Sequence, residues 1–141
     1  GAVPEAEVDA ALAEGEDGLA GLPGVVSELL HRSEPSQALD AAWARVRRLN
    51  RYVEERRPWE LAKDEGSAAE LDSVLYNLAE GLRVVTLALV PYVPEAAGKL
   101  LDALGEDARG FAELGSRAGG VVTQRIEPLF PKLEPVEQPA A

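Results

Sequence analysis

Residues 43–64 hold the side chains best suited to gripping an anionic, aromatic ligand. Both tryptophans of the 141-residue chain lie here, Trp43 and Trp59. So do seven of its fourteen basic residues: Arg45, Arg47, Arg48, Arg51, Arg56, Arg57 and Lys63. Only Glu54, Glu55 and Glu60 stand against them between 45 and 63, so the window carries +4 in a chain of formal net charge −11. A basic island with an aromatic, set in an acidic protein, suits a nucleic acid or another anionic partner. Arginines would meet phosphates, and a tryptophan would offer its face to an unstacked base, as single-stranded RNA loops are read. Two readings of these residues stay open. In one, Trp43 is core, Trp59 plugs the Pro58 turn against the fold and the arginines are merely solvated. In the other, Trp43 is still core but Trp59 stands partly in solvent as a base platform.

Catalytic chemistry is poorly supported. The one histidine, His31, leaves nothing for a relay, and no glycine-rich phosphate loop or His-Glu-x-x-His spacing occurs. Glu54–Glu55 and Glu5/Glu7 are carboxylate pairs whose spacing does not turn both toward one ligand on a helix, so they read as solvated charge. Cysteine is absent, which removes thiolate nucleophiles, thiolate metal ligands and disulfides. The expectation is a binding or structural module with no catalytic residue and no metal site. The acidic total argues against general binding to DNA, which needs an extended cationic surface. No apolar run reaches the roughly 18 residues of a membrane span, so no membrane partner and a cytoplasmic location are expected. The chain begins at Gly1 and contains no methionine, so it is expected to be processed or to be a piece of a longer protein.

Helices must position the basic stretch, because alanine, leucine and glutamate dominate and every apolar pattern repeats at three or four residues. Val8 and Leu12 allow a weak helix after Pro4. Leu22-Pro23 opens another, with Val25, Val26, Leu29 and Leu30 as its stripe and His31 at its end. Pro35 opens a helix to about residue 56, its apolar side given by Leu39, Trp43, Val46, Leu49 and Val53. Asn50 falls among these, so it needs hydrogen-bond partners if buried. Pro58 must break this helix, and one or two turns follow as far as Gly66. Ser67-Ala-Ala-Glu70 matches a capping box at the start of a helix over 68–90 with Leu71, Val74, Leu75, Leu78, Leu82, Val85 and Leu89 on its apolar face. Pro94 opens the last helix, over 94–104, and Gly105 caps it. Phe111 and Leu114 suggest one further short turn of helix. The prolines of Glu127-Pro-Leu-Phe-Pro131 suggest an extended arm that docks Leu129 and Phe130. The fold class is all-α, a helical bundle with an irregular C-terminal arm.

Asn50-Arg51-Tyr52 followed by Pro58-Trp59-Glu60-Leu61-Ala62-Lys63 closely resembles the signature of the C-terminal anticodon-binding domain of the methionyl-tRNA synthetase family, of class Ia. Ala38-Leu39-Asp40-Ala41-Ala42-Trp43, Val74-Leu75-Tyr76-Asn77-Leu78, Leu82-Arg83-Val84, Val90-Pro91-Tyr92-Val93-Pro94-Glu95 and Glu127-Pro128-Leu129-Phe130-Pro131-Lys132 agree in order, so the likeness covers roughly residues 3–134. Anticodon-binding domains of other class I synthetases match these motifs less well, and an acidic helical protein-interaction module is the alternative from another class. The resemblance implies binding of the anticodon stem-loop of methionine tRNA, with Trp59 stacked on an anticodon base. Arg47, Arg51, Arg57 and Lys63 are candidate RNA contacts, with Asn50 and Pro58 in support. The Lys63 ammonium could reach backbone phosphate or pair with Glu60 on its own turn. It also implies that residues 1–133 are a bundle lacking its first helix, which would leave the Leu71–Leu89 face partly uncovered, and that 134–141 are a flexible tail or linker. The His-Ile-Gly-His and Lys-Met-Ser-Lys-Ser motifs of the family's catalytic domain are not in this sequence. ATP, Mg and that domain as a partner are therefore implied for a parent enzyme, with no cofactor in this chain.

Overall fold

A computed structural model describes residues 1–117 and 119–136. Among them are six α-helices: α1 Ala10–Ala13, α2 Leu22–His31, α3 Pro35–Arg56, α4 Pro58–Leu61, α5 Ala68–Leu89 and α6 Pro94–Ala103. Tight 3-10 turns at Leu19–Gly21 and Glu65–Ser67 lead into α2 and α5. The chain is all-α, and the helices expected over 35–56, 68–90 and 94–104 lie within a residue of those bounds.

Helix ends follow local chemistry. Pro23, Pro35, Pro58 and Pro94 sit in first turns, where a missing N–H costs nothing. After α6, Gly105 takes φ +68, and the Glu106 and Gly105 amides donate to the carbonyls of Leu101 and Asp102. The same double bond closes α2 on Ser33, at φ +57, without a glycine. The expected capping box at Ser67 is not formed. Asp64 does the capping instead: its carboxylate accepts from the Gly66 N–H at 3.1 Å and the Ser67 hydroxyl at 2.8 Å. Entry to α5 is thus tightened into a 3-10 turn one step upstream, and Gly66 lies within that turn. The expected helical turn at Phe111–Leu114 is only a hydrogen-bonded bend, Ser116 N–H to Glu113 C=O.

The core joins Leu12, Leu19, Leu22 and Val26 to Ala38, Ala42, Leu49 and Tyr52 of α3 and to Val74, Val84, Val85 and Ala88 of α5. A fully buried leucine contributes about 1.5–3 kcal/mol. On α3 the buried stripe is therefore Ala38, Ala42, Arg45, Leu49, Tyr52, rotated by about one residue from the expected one. Trp43 is 52% exposed, against its expected place in the core. Small alanines let α2 approach α3 closely, and the tryptophan, too bulky for that contact, is displaced to the flank. On α5, Gly81 marks the α3 crossing, where a Cβ would stand 2.5 Å from a Leu49 methyl and 2.9 Å from one of Leu19. Leu75 and Leu82, expected to be inward, are 39% and 38% exposed.

The other buried side of α5 is polar. Glu80 and Arg83 are 1% and 2% exposed and pair through two bonds of 2.8 Å. Arg83 also donates to Glu106, to Ser116 Oγ and to the Glu113 carbonyl. Glu80 accepts the Gly115 N–H, and Tyr76 donates to the Arg117 carbonyl. These contacts fasten the non-helical segment 105–117 along α5. Residues beyond it pair with the N-terminal segment: Val3 N–H donates to Val121 C=O, and Gly120 N–H donates to Val3 C=O. A Cβ at Gly119 would overlap the Pro4 carbonyl, and one at Gly115 would overlap Val8. Further on, Leu129 is half-buried against α6, but Phe130 is 75% exposed and does not dock as expected. Of the expected tail, Glu134–Val136 are exposed and 137–141 lie outside the described residues.

Candidate nucleic-acid interface

Three cations of the basic stretch are consumed by the fold. Burial pushes the Arg45 guanidinium down from its ordinary value, while the nearby Asp17 charge opposes that shift. Its nitrogens donate to the carbonyls of Gly18, Ala41 and Glu16 at 3.2–3.3 Å. Arg48 donates to the Ala11 carbonyl. Arg56 lies over the Tyr52 ring at 5.4 Å and donates to Asp9 at 2.7 Å. Burial, followed by the bond to the Asp9 carboxylate, pushes the Tyr52 phenol up to about 12.

Four cations remain exposed: Arg47, Arg51, Arg57 and Lys63. Glu54, Glu55 and Glu60 are exposed beside them, so the outer surface is far closer to neutrality than the +4 of the linear window. Lys63 is paired with Glu60 at 3.0 Å on its own turn, the local one of the two possibilities open for it. Among the described residues Arg47, Arg51 and Arg57 have no ion pair, so their charge is free for a partner.

The geometry sorts these residues into two groups. Arg47, Asn50, Arg51 and Glu54 project from the outer face of α3 and, with Ala44 and Asp17, line a shallow recess of about 450 Å³. Arg51 also walls a smaller neighbour of about 230 Å³ with Ala11, Arg48, Tyr52 and Glu55. Asn50, expected to support the Pro-Trp turn from inside, is exposed on this recess. The register that drives Arg45, Leu49 and Tyr52 inward turns position 50 outward. The second group is the turn after α3. Arg57 adopts the left-handed conformation, φ +46, with its N–H on the Val53 carbonyl. A proline follows, which disfavours the right-handed helix at Arg57, and α4 begins at Pro58 in a new direction. Trp59 is in its first turn and the residue is 50% exposed. The expected contrast with Trp43 is absent, because Trp43 is equally open.

At 1.5 Å per helical residue, Arg57 is about 9 Å along the chain from Arg51. One nucleic-acid loop could span both groups. What the sequence did not reveal is how the turn is held. Asp9 gathers the Tyr52 hydroxyl at 3.0 Å and Arg56, and its own N–H donates to Asn77 Oδ1 at 2.7 Å. The one available signal was Asn77, an amide inside the Val74–Val85 pattern that had to find partners.

No protein-family model matches the chain. It is similar to methionine–tRNA ligase of Clostridium acetobutylicum, 38% identical over 117 residues, which are 80% of this chain and 18% of that protein. The Deinococcus radiodurans methionine–tRNA ligase is 42% identical over 117 residues, 81% of this chain and 17% of that one. Among solved structures, free-state methionyl-tRNA synthetase of Mycobacterium tuberculosis superposes with a TM-score of 0.84 at 32% identity, covering 96% of this chain and 29% of that one. The chain thus spans less than a fifth of the length of the curated relatives it matches.

Proposed function

Over the segment it spans, the chain belongs with the methionine–tRNA ligases, and from that premise we propose that it is the part of such an enzyme that recognises tRNA. Its ligand is the anticodon stem-loop of methionine tRNA. The ATP- and Mg-dependent attachment of methionine belongs to the catalytic domain of the same polypeptide, and a cytoplasmic location goes with that work. The observation that carries this reading is Trp59: half-exposed, presented on a proline-fixed turn, and followed back along α3 by arginines that have no ion pair among the described residues. Stacking of one base on Trp59 contributes about 1–3 kcal/mol. Arg57, Arg51 and Arg47 take backbone phosphates as the loop runs back along α3, and Asn50 lies between them with donor and acceptor free for a base edge. Lys63 adds to this once Glu60 yields.

Titration of this chain with an anticodon stem-loop tests the proposal. Trp59→Ala should weaken binding by the stacking contribution, about five- to 150-fold. Arg47→Ala and Arg51→Ala should each lower the salt dependence of binding. Unchanged affinity in Trp59→Ala would make Trp59 a packing residue and would favour the protein-interaction alternative.

A further inference from the structure

We propose that Asp9 is a positioning residue for the Trp59 turn. Through it, the N-terminal segment and the residues packed on that segment, Gly115 and 119–121, hold the base platform in place. The inference rests on the reading of Trp59 as that platform.

Tyr52 and Arg56 are four residues apart on the final turns of α3, and Arg57, whose left-handed backbone aims Pro58 and Trp59, follows at once. Asp9 Oδ2 accepts from both the Tyr52 hydroxyl and the Arg56 guanidinium, and Oδ1 accepts the Ala11 N–H that starts α1. The aspartate is itself anchored. Its N–H donates to Asn77 Oδ1, and the fully buried Asn77 amide donates to the carbonyls of Glu7 and Ser73. The end of α3 is therefore tied to α5 through a residue that belongs to neither helix, its carboxylate holding α3 and its backbone N–H holding Asn77. The other support of the turn is α4, whose short helix packs on α5. Between these fixed points stands one left-handed arginine, a conformation that persists only when its surroundings enforce it. The segment carrying Asp9 is clamped in turn: Val3 by Val121 and Gly120, Pro4 by Gly119, Val8 by Gly115. The acceptors on Asp9 meet three donors from two elements, a convergence that capping a four-residue α1 does not require.

The decisive experiment measures Trp59 directly, in this chain with Trp43→Phe so that one indole reports. Time-resolved fluorescence anisotropy, without RNA, gives the amplitude of its local motion, and stem-loop titration gives the affinity. Asp9→Ala should at least double that amplitude while α5 keeps its helix signal, and should weaken RNA binding about five- to tenfold, tenfold being about 1.4 kcal/mol. Asp9→Glu should restore part of both. In a Trp59→Ala background, Asp9→Ala should cost no further affinity, which a general loosening of the fold would not reproduce. If Asp9→Ala fails to fold, Tyr52→Phe and Arg56→Met remove one donor each and should give the same effects in smaller measure. Unchanged Trp59 motion in these variants overturns the proposal, as does an additive loss of affinity in the Trp59→Ala background. If Trp59→Ala binds RNA like the parent while Asp9→Ala still frees the indole, the base-platform reading fails and the positioning role stands.

Discussion

Replacing Arg83 by methionine leaves a carboxylate stranded inside the protein. Glu80 is 1% exposed and takes two bonds of 2.8 Å from Arg83. What remains to it is the Gly115 N–H at 3.0 Å and Arg117 Nε at 3.5 Å. Breaking a buried pair by removing one partner costs about 3–5 kcal/mol. Arg117 offsets part of this, but Ser116, Glu113 and Glu106 lose their donor as well, so the net loss should be about 3–4 kcal/mol. Domains of this size are stable by about 5–15 kcal/mol, so Arg83→Met should move the urea midpoint markedly, followed by far-ultraviolet circular dichroism. The double variant Glu80→Met/Arg83→Met removes the stranded charge and should be more stable than Arg83→Met alone. A loss below about 1 kcal/mol for Arg83→Met, or a double variant less stable than the single, would refute the reasoning.

Acid should loosen the N-terminal segment and the 105–117 segment before the helices. Burial raises the Asp9 carboxyl, but bonds from Ala11, Tyr52 and Arg56 and the Arg56 charge more than offset it and leave it below the ordinary 3.8. Glu106 is likewise raised by burial and brought below 4.5 by Ala108, Arg83 and Arg117. A carboxyl depressed on folding contributes stability fully above its ordinary value and loses it as pH falls through the lower folded value. Hydrogen exchange at residues 3–9 and 105–117 should therefore rise below those ordinary values, and equal protection at neutral pH and well below pH 3.8 would contradict this. Gly81→Ala should destabilise by about 1–3 kcal/mol through overpacking against Leu49 and Leu19, measured as a lower Tm.

Periodicity alone determined the all-α class and the spans of α3, α5 and α6, because proline and glycine fix where helices open and close through backbone sterics that act locally. Residue types and their order also singled out the Pro58–Trp59 turn, since an aromatic that follows two arginines across a proline break is a local pattern. Which face of α3 turns inward was decided by the tertiary structure. An apolar pattern ranks Trp43 above Arg45 as a core residue, yet close approach of α2 favours alanine, and the carbonyls of Glu16 and Gly18, which no pattern on α3 itself could supply, accept the Arg45 guanidinium. The sharing out of charge was decided there too. Arg45, Arg48 and Arg56 differ from Arg47, Arg51 and Arg57 only in helical phase and in what residues 9–18 place before them. Asp9 lies 43 and 47 positions from the two α3 side chains it holds. Nothing in its neighbourhood marks it, because a hydrogen bond between distant segments exists only once the chain has folded.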